Sequence, residues 1–364
     1  MRLFVLLFLL FGCGHAGEIG GSGAPEAGAA DAAVPVDVAV PVYRQEELVF
    51  HHGRNRLVGD LALPAGPPPH PAVAFVHGSG PASRRSEYLE SIAAEFLERG
   101  FATLIWSKPG VDESTGHYLK QTMAMRAEEV AAAMAQLAQR ADIDADRIGL
   151  WGISQAGWVM PLVAARRKVA FAISVSGSAQ TGQQQDLFGA ANELAEIGFS
   201  DAELADALEH RLEFYDLIRE GLSYEEFLPR QRAWLAEMKL RPWYPKLESH
   251  LDELIFQDFL MATDPETFEF FSINDRSGSL ISPPELQNLD MPVLAIYGSA
   301  DALVDTALAA NAYREIPQLN GNTDVTVVVF EGANHGILQL DGDGYLGFAP
   351  GFLTTMGEWL SKHR

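Results

Sequence analysis

The sequence predicts an α/β fold, a mostly parallel eight-stranded sheet flanked by helices, with a helical segment inserted after the sixth strand. Three observations carry this. Short apolar runs alternate with stretches of helix-forming composition from residue 73 onward. The alternation stops for about 100 residues after 181 and then resumes. A Gly-x-Ser-x-Ala sequence, Gly152 to Ala156, stands where an apolar run gives way to a helical pattern. Strands and helices that alternate in this way imply a parallel sheet with helices on its faces.

The first strands are read at 47–51 and 57–63, separated by the polar turn Gly53-Arg54-Asn55, which is the pattern of an antiparallel hairpin. Residues 73–76 form a short apolar run suited to a strand covered on both faces, and 101–106 form another. Between them, 87–99 has helical composition that stops at Gly100. Over 123–140 the residues Met123, Val130, Met134 and Leu137 fall on one helical face, and the charges of Arg126, Glu128 and Glu129 are assigned to the other. Strand 147–151, helix 155–166 and strand 169–175 continue the alternation.

The interruption covers 182–285. Ser200-Asp201-Ala202-Glu203 is a capping box, followed by Leu204, Leu208, Leu212, Tyr215 and Ile218 at helical spacing. Ser223 to Glu226 opens a second helix. The segment is rich in aromatic residues, which suit either the core of a small helical cap or an apolar pocket over the site. Strands at 293–297 and 325–330 and helices at 303–314 and 352–362 complete the pattern.

The domain reading is a signal peptide over 1–12, a tether over 13–42, a first core part over 43–181, the cap over 182–285 and a second core part over 286–364. Met1-Arg2 precedes an apolar run over 3–11, too short to span a bilayer and matched in length to a signal-peptide core. Leu10-Phe11-Gly12-Cys13 resembles the lipobox of bacterial lipoproteins, which implies a lipidated Cys13 and an exported, envelope-located protein held by a lipid anchor rather than a transmembrane span. Cleavage after Gly14-His15-Ala16, releasing a soluble periplasmic or secreted protein, is the competing reading. Cys13 is the single cysteine, so with Cys13 lipidated or removed with the leader no intrachain disulfide, cysteine zinc site or cysteine nucleophile is expected. The formal net charge of −23 argues against nucleic acid and against an electrostatic grip on anionic lipid.

Ser154 is the candidate nucleophile, because a strained turn between strand and helix needs small residues on both sides of it. A serine hydroxyl needs a base. His335, in the loop Glu331-Gly332-Ala333-Asn334-His335-Gly336 after the last strand, is the candidate. Asp301, in Tyr297-Gly298-Ser299-Ala300-Asp301, follows the previous strand and is the candidate acid that holds the imidazole, with Asp305 as its alternative. The loop His77-Gly78-Ser79-Gly80-Pro81 can turn amides inward, so the N–H groups of Ser79 and Gln155 are the candidate oxyanion hole. No pair of histidines shows metal-ligand spacing with a nearby carboxylate, and no cofactor is expected.

These motifs, with Trp106-Ser107-Lys108-Pro109-Gly110-Val111-Asp112-Glu113-Ser114, resemble the α/β-hydrolase superfamily over about 45–180 and 290–362, nearest its prolyl-oligopeptidase-like and esterase branch. The order Ser, Asp, His is the order that fold uses, and a cap after strand six is where a lid would sit. That branch carries an Asp-x-Arg-Gly-type loop where this chain has Ser107-Lys108-Pro109-Gly110, and a glycine at Ala156. The resemblance implies cofactor-free hydrolysis of a small-molecule ester, thioester or amide. Ester hydrolysis through an acyl-enzyme on Ser154 is the leading expectation. Its alternatives are a peptidase on short peptides and a surface-displayed binding protein without turnover.

Overall fold

The computed structural model describes residues 43–251, 264–278, 285–341 and 346–363. The expected leader, tether and anchor at Cys13, and the cap aromatics Phe256 and Phe259, lie outside the described residues. The chain opens with β1, Arg44–His52, and β2, Asn55–Leu63, a hairpin turned by Gly53 at φ 58. There follow β3 His70–Val76, α1 Glu87–Glu98, β4 Ala102–Trp106, α2 Met123–Ala138, β5 Ile143–Ile153, α3 Ala156–Ala164 and β6 Ala172–Val175. After the cap come β7 Val293–Gly298, α9 Thr306–Leu319, β8 Val325–Phe330, a small ladder of β9 Leu338–Leu340 with β10 Leu346–Phe348, and α10 Phe352–Lys362.

The eight-stranded sheet runs β1-β2-β4-β3-β5-β6-β7-β8. It is antiparallel only where β2 meets β1 and β4, and parallel from β4 to β8. Strand alternation divides the core. On β3, Ala72, Ala74 and Val76 join a cluster with α2, α3 and α9, whereas Val73 and Phe75 join one with α1 and α10. Both faces are covered, so these strands read as unbroken apolar runs. Parallel strands also end on one edge. The loops after β3, β5, β7 and β8, which carry Ser79, Ser154, Asp301 and His335, all leave the sheet there.

Between β6 and β7 lie α4 Gly182–Glu196, α5 Asp201–Arg219, α6 Tyr224–Met238, α7 Tyr244–Glu248 and α8 Pro265–Arg276. Capping boxes start α4, α5 and α6 at Thr181, Ser200 and Ser223. Phe214, Phe227, Trp234, Trp243 and Phe271 form the helices' own core. Of the stripe expected on α5, Tyr215 and Ile218 are buried and Leu204 packs against the cap core, while Leu212 is 39% exposed; Ala207, His210, Arg211 and Phe214 also face inward. Arg211 can be buried because Asp186 of α4 meets it with both oxygens at 2.6 Å. A small pocket between these helices is lined by Leu194, His210, Trp234, Met238 and Trp243, among others, and no candidate site residue borders it. His117 reaches Glu266 at 3.0 Å and Lys120 reaches Glu269 at 3.4 Å, tying the loop after β4 to α8. Among the described residues, no helix is long and apolar enough to cross a membrane.

Candidate active site

Ser154 lies between β5 and α3 with φ 58, a left-handed backbone that a residue with a side chain adopts only under constraint. Its neighbours supply that constraint. A Cβ on Gly152 would lie 2.5 Å from Cβ of Ala156, and one on Gly157 would lie 2.5 Å from the backbone N and O of Ser178. The turn therefore closes only with hydrogen at both positions. The elbow is tied to β6 and the loop behind it: Ser154 N–H donates to Val175 O at 3.0 Å, and Ser178 N–H donates to Ser154 O at 3.1 Å.

Asp301 and His335 meet directly. Nδ1 of His335 donates to Oδ2 of Asp301 at 2.8 Å, and the Asp301 carboxylate is shut off from solvent. This fixes the proton on Nδ1 and leaves Nε2 as the acceptor. The two loops can approach because Gly298 lacks a side chain: a Cβ there would fall 2.2 Å from Ala333 O. Ala300 N–H donates to that same carbonyl at 2.9 Å. Oδ1 of Asn334 accepts from the amides of Gly336 and Leu338, both at 3.0 Å, so the histidine loop holds its own shape. Asp305, the alternative acid, caps α9 through the amide of Leu308.

Tyr88 of α1 links the histidine loop to the nucleophile strand, since its hydroxyl donates to Gly336 O at 3.1 Å and its ring lies 6.4 Å from that of Trp151. Among the described residues no hydrogen bond joins the Ser154 hydroxyl to the imidazole. Such contacts commonly close only when substrate is bound. The structure thus pairs His335 with Asp301 and places Ser154 on the same sheet edge.

The His77-to-Pro81 loop lies against the nucleophile: a Cβ on Gly78 would stand 3.3 Å from Cβ of Ser154. Gly80 turns the loop at φ 72. Among the described residues neither Ser79 N–H nor Gln155 N–H is engaged in a hydrogen bond, so both remain available as donors. Ser79 is exposed and Gln155 buried.

Behind this loop lies a polar group absent from the sequence-based expectations. Arg126 and Glu129, assigned to the solvent side of α2, are 6% and 3% exposed. Their partners lie across the tertiary fold, where a single helix gives no sign of them. Arg126 donates through Nη2 to His77 O at 2.7 Å and through Nη1 to the Gln155 side-chain oxygen. Glu129 accepts from Trp106 Nε1 at 2.8 Å and from Gln121 Nε2 at 2.6 Å. Lys108, from the loop where the resemblance is weakest, is 3% exposed and donates to Gly78 O at 2.6 Å and Gly80 O at 2.9 Å.

Burial, then Arg126, pushes the Lys108 amine well below the ordinary lysine range, against the pull of Glu129. Burial also lowers Arg126 to about 10, again opposed by Glu129. His77 stays neutral, because burial takes its imidazole down to about 3 despite its hydrogen bond to Trp106 O at 2.5 Å.

Known proteins share this arrangement of elements. The chain is 23% identical over 301 residues to Esterase EstD of Thermotoga maritima, covering 80% of this chain and 60% of that protein. It is 29% identical over 145 residues to an uncharacterized 31.7 kDa protein in the traX-finO intergenic region of Escherichia coli, covering 37% of this chain and 50% of that protein. In both cases the chain spans less than two thirds of the relative's own length. The Pyrococcus furiosus esterase PF2001 superposes with a TM-score of 0.54 at 16% identity, over 88% of this chain and 91% of that one. The alpha/beta hydrolase GrgF from Penicillium superposes with 0.52 at 20% identity, over 88% and 99%. Likeness at these identities is one of fold. Residues 73–346 match the Alpha/beta hydrolase family as a whole, and with its sheet order and strand-end loops this chain belongs to that family.

Proposed function

We propose that this chain is a serine hydrolase that cleaves carboxylic esters of small molecules through an acyl-enzyme on Ser154. His335 is its base, Asp301 its orienting acid, and the amides of Ser79 and Gln155 its oxyanion hole. One observation carries the reading: His335 is held through Nδ1 by a buried Asp301, on the sheet edge where a serine sits at φ 58. Likeness to an esterase supports ester over peptide substrates and agrees with the resemblance to the esterase branch.

In this reading Ser154 Oγ attacks the ester carbonyl as its proton passes to Nε2 of His335. The carbonyl oxygen, now negative, takes the two free amides. Nε2 then returns the proton to the departing alcohol, and water repeats the sequence on the acyl-enzyme. Asp301 stays ionised throughout and stabilises the imidazolium. An envelope location through a lipid on Cys13 belongs to the same proposal, and labelled palmitate that fails to enter a Cys13→Ala variant tests it.

The activity is tested by acid-quenching the protein during turnover of 4-nitrophenyl butyrate and mapping the adduct by mass spectrometry. A butyryl group on the peptide containing Ser154, absent in Ser154→Ala together with turnover, is expected. Turnover that survives in Ser154→Ala overturns the reading.

A further inference from the structure

The loop His77 to Gly80 presents a problem of direction. Its carbonyls and amides lie beside a nucleophile where negative charge develops, and a carbonyl facing that charge would repel it. In a trans peptide the C=O and the following N–H point in opposite directions, so whatever holds a carbonyl sets the next amide. Gly78 O is held at 2.6 Å by Lys108 Nζ, and Arg126 Nη1 lies 3.5 Å from it. Lys108 also takes Gly80 O, and Arg126 takes His77 O. Three of the loop's carbonyls, those of His77, Gly78 and Gly80, thus face the buried Lys108 and Arg126 side chains. The Ser79 amide, on the peptide whose oxygen is Gly78 O, is turned the other way.

Arg126 reaches both halves of the site. Besides the loop carbonyls it holds the side chain of Gln155, whose own amide is the second donor. Lys108 has three N–H donors; two are spent on carbonyls, and the face of Tyr118 lies 6.0 Å away. Glu129 engages Trp106 and Gln121 and lies in the same buried group as Lys108 and Arg126.

We propose that Lys108 and Arg126 are positioning residues for the oxyanion hole: they draw the carbonyls of His77, Gly78 and Gly80 to one side and so aim the amide of Ser79 at the developing negative oxygen, while Arg126 also holds the side chain of Gln155, the residue of the second donor. This rests on the reading of Ser154 as nucleophile. It also gives a part to Ser107-Lys108-Pro109-Gly110, the loop that departs from the resembling branch: the Lys108 amine reaches two carbonyls at once without needing a planar partner.

The test compares unaltered protein with Lys108→Met, a substitution of similar length that removes the ammonium. Three readings are taken: the fraction of chains a fluorophosphonate labels at completion, kcat and KM for 4-nitrophenyl acetate, and inhibition by phenylboronic acid as a tetrahedral mimic. The expected result is full labelling, kcat lower by on the order of 10²-fold with KM within about twofold, and boronate affinity lowered in step with kcat/KM. A role confined to packing would lower the labelled fraction and leave the labelled chains at normal kcat, and that result overturns the proposal. Unchanged kcat in fully labelled Lys108→Met overturns it too. Should that variant fail to fold, the same three readings on Arg126→Gln decide. Unaltered protein that takes no label sinks the reading of Ser154 and this proposal together, whereas labelled, active protein with an indifferent Lys108→Met sinks this one alone.

Discussion

The carboxylate of Asp301 serves His335 with one oxygen and its own loop with the other. Oδ2 accepts from Nδ1 of the imidazole at 2.8 Å, while Oδ1 accepts from the amides of Leu303 and Val304 at 2.8 and 3.0 Å. The backbone thereby fixes the carboxylate plane, and the carboxylate fixes the ring. One carboxylate thus holds both the backbone turn that leads into α9 and the imidazole.

Asp301→Asn separates the two tasks. The amide oxygen still accepts from Leu303 and Val304, but the NH₂ group now faces Nδ1 and forces the other tautomer, with the proton on Nε2. The expected outcome is a fall in kcat on the order of 10⁴-fold with little change in thermal midpoint, read by ester hydrolysis and circular dichroism. A variant that keeps a tenth or more of normal kcat would show that the tautomer does not matter here.

Much of this was legible in the sequence because it depends on short-range pattern. The hairpin, the alternation and its interruption are local periodicities, and the elbow is a local steric need met by Gly152 and Gly157. Asp301 and His335 could be placed because each follows a strand whose neighbour is fixed by topology. The buried charges of Lys108, Arg126 and Glu129 were not legible, since their partners Gly78 O, Gln155 and Trp106 lie elsewhere in the chain. A signal did exist for Arg126: it stands three after Met123 and four before Val130, within the buried stripe of α2. Assigning it to solvent by charge alone overrode that spacing. On α5 the expected stripe holds at Tyr215 and Ile218 but not at Leu212, where the paired Arg211 and the ring of Phe214 widen the buried face to the other side.

The elbow's packing can be tested without touching the chemistry. Gly157→Ala would drive a methyl group to 2.5 Å from the backbone of Ser178, and backbone has little freedom to yield. A loss of about 1–3 kcal/mol is expected by urea denaturation. Gly347→Ala is the control, since its added Cβ meets nothing within 4 Å. Equal stability of the two variants would contradict the close approach of α3 to the loop behind β6.

His77 predicts part of the acid response. Its folded value of about 3 lies below the 6.5 of an unperturbed histidine. Between these limits the unfolded chain binds a proton that the folded chain refuses, so this contribution is fully present above pH 6.5 and is lost as pH falls toward 3. The slope approaches about 1.4 kcal/mol per pH unit. His77→Gln keeps a donor for Trp106 O and removes the titration. The drop in urea-unfolding free energy from pH 7 to pH 4.5 should shrink by about 2–3 kcal/mol. Identical acid losses in the two proteins would rule this out.

The measurement closest to the central claim is the rate and position of fluorophosphonate labelling in the unaltered chain, in Ser154→Ala and in His335→Ala, followed by peptide mass spectrometry. The account predicts one adduct per chain on the peptide that contains Ser154, none in Ser154→Ala, and a rate lower by on the order of 10³-fold in His335→Ala. An adduct on another residue, or a His335→Ala variant that labels as fast as the unaltered chain, would contradict it.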